Sequence, residues 1–205
     1  LKIGVMGGTF DPIHNGHLVT SEEARHQFGL EKVIFVPSAR PPHKREARQS
    51  AFEHRHRMVE LAVEGNSYLA VSSIETERSG PSYTVDTLRD MHLVYGHEVE
   101  LFFITGADAV LEILTWKDPG EVLAESELIA ATRPGYPLER LQEALPEYNS
   151  HGEPAVGKVH AMEIPALSIS STDIRERVRE GRPFRYLVPE SVWAYIVEKG
   201  LYLER

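Results

Sequence analysis

Gly8-Thr-Phe-Asp-Pro-Ile-His14-Asn-Gly-His17 follows a short apolar run that closes on Gly7-Gly8. Paired glycines let a backbone turn tightly or let a ligand approach it. The two histidines stand three residues apart, a spacing that puts both on the first turn of a helix, with Asp11 nearby. Three chemistries fit. A metal site needs a third ligand from elsewhere in a chain of ten histidines and no cysteine. A blander alternative makes both imidazoles caps of a polar turn. The third uses the helix start itself, where unpaired amides and the dipole favour an anion. Imidazole donors beside it would stabilise charge growing on a phosphate.

Other stretches raise the same question. In Ile169-Ser170-Ser171-Thr172-Asp-Ile-Arg175, Ser170 is a plausible N-cap, and Arg175 follows Thr172 by one turn, so both can face one anion. An ordinary cap followed by a solvated arginine would look the same. Gly106-Ala-Asp108 lies where a strand meets a helix, offering a close backbone approach and a carboxylate. Asp108 also suits a plain first-turn acid favoured by the dipole. Arg40, His43, Lys44, Arg45 and Arg48 crowd a Pro-rich loop that can hold a small anion.

The elements that must position these residues alternate. Strands are expected at Lys2–Met6, Lys32–Val36, Tyr68–Ser72, Val99–Thr105 and Leu128–Thr132, with a weaker one at Lys158–Ile164. Helices are expected from Gly16 to Phe28, closed by Gly29, and from the capping-box spacing Ser50-Ala-Phe-Glu53 towards Gly65. Further helices are expected at Thr84–Tyr95, Ala107–Leu114, Thr172–Glu180 and Glu190–Lys199. Alternation of this kind implies βαβ units: an α/β, Rossmann-like, doubly wound parallel sheet with C-terminal helices. Ligands of such sheets sit at the carboxyl ends of the strands, so the loops after Met6, Val36, Ser72, Thr105 and Thr132 should share one rim. Residues 133–157 read as a surface excursion within a single domain spanning 1–205.

Composition excludes several classes. A net charge of −9 argues against a general nucleic-acid binder. The absence of cysteine removes disulfides and thiolate zinc sites and fits a reducing compartment. No apolar run approaches the roughly 18 residues of a membrane span, and the start lacks a signal-peptide pattern. A cytoplasmic protein with no nucleic-acid or membrane partner is expected. Rival nucleotide motifs fail. Gly4-Val-Met-Gly7-Gly8 lacks the third glycine of the dinucleotide fingerprint. Gly152-Glu-Pro-Ala-Val-Gly157-Lys158 nearly matches a P-loop, but Val159 replaces the magnesium-holding Ser/Thr.

Taken together, the Gly8–His17 and Ser170–Arg175 motifs resemble the nucleotidyltransferase superfamily marked by His/Thr-x-Gly-His and Ser-x-Thr-x-x-Arg. Pro37-Ser-Ala-Arg-Pro-Pro-His-Lys44, Ser82-Tyr-Thr84-Val-Asp-Thr-Leu, Gly106-Ala-Asp108, Trp116 and Arg133-Pro-Gly-Tyr136 extend the likeness over essentially the whole chain. Within that superfamily the chain is similar to the bacterial nicotinate mononucleotide adenylyltransferases. One departure is Lys117, where that family commonly has Tyr after the tryptophan.

The resemblance implies adenylyl transfer from ATP to nicotinate mononucleotide, giving deamido-NAD and pyrophosphate in NAD biosynthesis. It implies that His14, His17 and Arg175 are catalytic and that Gly8, Thr9 and Phe10 offer backbone amides to the ATP phosphates. Ser170, Thr172 and Arg175 would hold the β- and γ-phosphates, Gly106 and Asp108 the adenosine ribose, and Arg133 would touch ATP. For the mononucleotide it implies Lys44 at the phosphate, Trp116 stacked on the pyridine, and amides near Thr84 and Lys117 at the carboxylate. Mg2+ is expected to arrive with ATP, bound mainly by phosphate oxygens and water, with no dedicated protein ligand. Competing readings are a sister enzyme using phosphopantetheine, a non-catalytic nucleotide sensor, and a histidine metal module.

Overall fold

The computed structural model describes residues 1–203 except 42–48, 133–138, 144, 146, 148–150, 153, 166 and 167. Its strands are β1 (Lys2–Gly8), β2 (Lys32–Pro37), β3 (Leu69–Val71), β4 (Glu100–Gly106), β5 (Glu127–Thr132) and β6 (Val159–Glu163). All pair in parallel, in the order β3-β2-β1-β4-β5-β6. The helices are α1 (Asn15–Phe28), α2 (Phe52–Val63), α3 (Thr84–Tyr95), α4 (Ala107–Leu111), α5 (Pro119–Glu125), α6 (Glu139–Glu143), α7 (Ser171–Arg179) and α8 (Glu190–Lys199). This is the doubly wound α/β arrangement expected from the alternation.

Side chains on successive strand residues point to opposite faces, and here both faces are covered. That is why the strands read as unbroken apolar runs. Ile3, Val5, Ile34, Val36, Leu101, Phe103 and Leu128 face one core, filled by Val85, Leu88 and Met91 of α3 and Val122 and Leu123 of α5. Met6, Val33, Phe35, Phe102, Ile104 and Ile129 face the other, filled by Ala24, Met58, Val59, Ile174, Val192 and Ile196 from α1, α2, α7 and α8. The strand order reverses direction between β1 and β4, so their carboxyl ends diverge and open a crevice.

Differences from the sequence reading have physical causes. Helix α2 starts at Phe52 with Ala51 as N-cap and no side-chain cap, so the Ser50–Glu53 capping box does not form. Ser50 is occupied otherwise: its N–H donates to Asp11 Oδ2 at 3.2 Å and its carbonyl accepts from Arg55 Nε at 3.0 Å. The helix expected over Ala107–Leu114 stops at Leu111 and continues as a 3-10 turn, Ile113–Thr115. Helix α5, with Pro119 in its first turn, went unread. The excursion at 133–157 is not wholly superficial, because Leu141 and Ala155 are buried in the first core. Among the described residues, no helix is long and apolar enough to cross a membrane.

Leu88 is fully buried between α3 and the sheet. Leu88→Ala should cost about 2–5 kcal/mol, measured as a lower urea midpoint. A loss below about 1 kcal/mol would mean this face is not packed as described.

Candidate active site

β1 ends in Gly7-Gly8 beside the β4 terminus at Gly106, and the crevice between them holds a cavity of about 540 Å3. Gly7, His14, Gly16 and His17 line it from the β1–α1 side, Thr105, Gly106 and Asp108 from β4–α4, Thr132 from β5, and Ser170 and Ser171 from the start of α7. The starts of α1 and α7 therefore both open on it. Each helix start leaves unpaired N–H groups and a partial positive charge. An anion is the complementary ligand.

His14 caps α1 from extended backbone. Its N–H donates to Nδ1 of His17 at 3.2 Å, and the two rings stack with centroids 3.7 Å apart. Because Nδ1 of His17 accepts, the neutral ring carries its proton on Nε2, ready to donate outward. Phe10 packs edge-on against His17 at 5.0 Å. Gly16 makes room for the stack, since a Cβ there would lie 3.0 Å from His14 Nδ1. That Nδ1 is buried and has no protein partner among the described residues. An unpaired buried polar atom is expensive unless a ligand or water meets it.

Burial lowers the His14 pKa to about 4. Burial also pushes His17 well below the ordinary histidine range, and the neighbouring His14 adds to the effect. Both rings are neutral donors at pH 7.

The loop between β1 and α1 is gripped from outside. Its Thr9 carbonyl accepts from Arg55 Nη1 at 2.8 Å, Asp11 O from Arg175 Nη1 at 2.7 Å, and Pro12 O from Ser171 Oγ at 2.8 Å. The Asp11 side chain accepts from Ser50 N and, at 2.8 Å, from the Tyr202 hydroxyl. Burial first, then the adjacent Asp11 charge and that hydrogen bond, raise the Tyr202 pKa above its ordinary value. The first and second motifs are thus hydrogen-bonded to each other across more than 150 residues of sequence.

The residues expected from the sequence divide accordingly. His14, His17, Gly106, Asp108 and Ser170 line the cavity. Gly8, Thr9 and Phe10 form the loop behind it, and the Phe10 ring is buried in the second core. Arg175 spends one nitrogen on Asp11 and another on Thr172 Oγ1 at 3.3 Å. Thr84 is the first residue of α3. Trp116 follows the 3-10 turn and meets Phe103 edge-on at 6.0 Å. Lys117 turns its ammonium to both oxygens of Asp86 on α3, at 3.0 and 3.2 Å, tying the Trp116 segment to the helix that begins at Thr84. These three stand apart from the main cavity. Lys44 and Arg133 lie outside the described residues. Sequence reasoning missed Arg55, Ser171 and Tyr202 as supports. Ser171 lay inside a motif already singled out, whereas Arg55 and Tyr202 carry no local signal.

The crevice at the switch point of this doubly wound sheet offers two helix starts to an anion, and comparison with known proteins gives its class. A model of the cytidylyltransferase-like family matches residues 5–177, and the chain belongs to that family. It is 54% identical over 204 residues to a probable nicotinate-nucleotide adenylyltransferase of Moorella thermoacetica, covering 100% of this chain and 93% of the relative. A protein of the same description from Corynebacterium kroppenstedtii is 45% identical, with 98% and 91% covered. The fold matches that of Plasmodium falciparum nicotinic acid mononucleotide adenylyltransferase complexed with NaAD, with a TM-score of 0.78 at 20% identity over 98% of this chain and 97% of that one.

The low pKa of His14 makes stability depend on pH. The unfolded chain binds this proton near pH 6.5, the folded chain only near pH 4. Stability is therefore full above pH 6.5 and is lost as pH falls towards 4, by up to about 1.4 kcal/mol per pH unit. His14→Asn should flatten the urea midpoint across that window; an unchanged slope would contradict a neutral, buried His14.

Proposed function

We propose that this protein transfers the adenylyl group of ATP to nicotinate mononucleotide, releasing pyrophosphate and forming deamido-NAD. The observation that carries the reading is the stacked His14–His17 pair, with its unpaired Nδ1, in a crevice on which the starts of α1 and α7 open. The 54% relatives supply the acceptor.

The mononucleotide phosphate is its own nucleophile, being largely ionised at neutral pH. One of its oxygens bonds to the α-phosphorus of ATP as the bond to the β-phosphate bridge breaks, and the electron pair leaves with pyrophosphate. No protein nucleophile is needed. The protein's contribution is positioning and stabilisation of charge on the phosphates. His17, through Nε2–H, and His14 donate to phosphate oxygens, while the amides of Gly8, Thr9 and Phe10 and of the α1 start face the triphosphate. Ser170 and Thr172 hold the leaving phosphates. Arg175 keeps guanidinium N–H groups beyond the two engaged with Asp11 and Thr172, and these meet the same phosphates. Gly106 and Asp108 receive the ribose, and Arg133 contacts ATP. Lys44 meets the mononucleotide phosphate, Trp116 its pyridine ring, and amides near Thr84 and Lys117 its carboxylate.

Among the described residues, no three His, Cys, Asp or Glu side chains are grouped to hold a metal. Mg2+ would accompany ATP, held mainly by phosphate oxygens and water, and would supply charge neutralisation. The 205 residues act as one nucleotidyltransferase domain, in the cytoplasm.

His17→Ala should leave folding intact and lower kcat by about 10²–10³; near-normal turnover would return the histidines to a capping role. The acceptor pocket makes a separate prediction. N–H donors facing the pyridine substituent favour a carboxylate, because an amide brings its own NH2 against them. Two such mismatches at about 1–3 kcal/mol each give roughly a hundredfold preference or more. Trp116→Ala should weaken both acceptors and largely spare the ratio. Measuring kcat/KM for acid and amide on both proteins decides it, and equal use by the wild type would refute the donor-lined pocket.

A further inference from the structure

Arg55 is a buried cation that the proposed chemistry does not use. It is 2% exposed, and desolvation lowers its pKa from the usual arginine value, opposed by the charges of Asp11, Glu53 and Glu75. Burying a charge is costly even when it is paired, and an apolar side chain at this point of α2 would avoid that cost. What the guanidinium does there is specific. Nη1 donates to the Thr9 carbonyl at 2.8 Å and Nε to the Ser50 carbonyl at 3.0 Å. Ser50 in turn donates to the Asp11 carboxylate, so Arg55, Ser50 and the 9–11 loop close a ring of hydrogen bonds.

The Thr9 contact has a geometric consequence. A trans peptide unit is planar, with its C=O and N–H pointing to opposite sides. Holding the Thr9 carbonyl from the α2 side therefore turns the Phe10 N–H away from α2. Phe10 itself sits at φ 50°, a left-handed conformation that is unfavourable for a non-glycine residue. Such strain persists only where the surroundings over-determine it. Here they do: the ring is wedged against Phe35 and His17, and Gly8 leaves room, since a Cβ there would lie 3.0 Å from that ring. The Phe10 N–H that results has no hydrogen-bond partner among the described residues.

We propose that Arg55 is a positioning residue for adenylyl transfer, fixing the Thr9–Phe10 peptide so that the Phe10 N–H is presented to the ATP phosphates. The inference rests on ATP occupying the crevice as described above. Lysine cannot replace the guanidinium, because a single ammonium does not reproduce the fork that spans two carbonyls.

The test uses R55K and R55M with Mg2+ and ATP. Folded R55M should lose about a hundredfold in kcat, with KM for the acceptor within about threefold of wild type, and R55K should recover only part of the loss. In 15N-labelled protein the Phe10 amide resonance should shift on adding MgATP to wild type and respond less in R55K. Wild-type kcat per folded molecule and a wild-type Phe10 response in the variants would overturn the role. Failure of both variants to fold would also overturn it, by making Arg55 structural. Failure of the activity reading is separate: wild type would then release no pyrophosphate with any acceptor, while the Phe10 response to MgATP still reports on Arg55.

Discussion

A short loop can bind a polyanion through its backbone only if its carbonyls are turned away and held there. Everything else at this site depends on that constraint. Between β1 and α1 the carbonyls of Thr9, Asp11 and Pro12 are each taken by a side chain from elsewhere: Arg55 of α2, Arg175 and Ser171 of α7. A free carbonyl facing the crevice would repel phosphate as effectively as a free amide attracts it. The fold explains why such donors are within reach. β1 is central, α2 and α7 both pack on the same face of the sheet through Met58 and Ile174, and the loop emerges between them.

The same arrangement resolves an apparent conflict of charge. A chain of net charge −9 binds an anionic substrate because interactions beyond about 8–10 Å are screened at physiological salt. Local dipoles at the starts of α1 and α7 then outweigh distant carboxylates. Neutral histidines suit this setting. Two stacked imidazolium rings 3.7 Å apart would repel each other, whereas neutral rings can share a backbone hydrogen bond and still present donors.

What the sequence made legible, and what it hid, follows from the range of the forces involved. Several local signals held: α3 runs from Thr84 to Tyr95 as read, and Ser170 does cap α7, accepting from Asp173 N. Buried parallel strands showed as apolar runs. The cavity-lining residues were legible because their types and spacing recur in a known family. Tertiary demands were not legible. Ser50 and Glu53 have capping-box spacing, but Asp11 and Arg55 claim the Ser50 backbone instead. Arg55 sits in Glu53-His-Arg-His-Arg57, a run that reads as a solvated face until the loop it supports is in view. Tyr202 reaches Asp11 from the far end of the chain. Lys117, the departure from the family pattern, makes an ion pair with Asp86 that no local spacing announces.

If the two motifs form one site, that site moves an adenylyl group. Phosphorus NMR of the purified protein with ATP, Mg2+ and nicotinate mononucleotide tests it directly. The mononucleotide phosphorus and the ATP α-phosphorus should become a pyrophosphate diester while one equivalent of inorganic pyrophosphate appears. Conversion of ATP to ADP and inorganic phosphate, or persistence of both substrates unchanged, would contradict it.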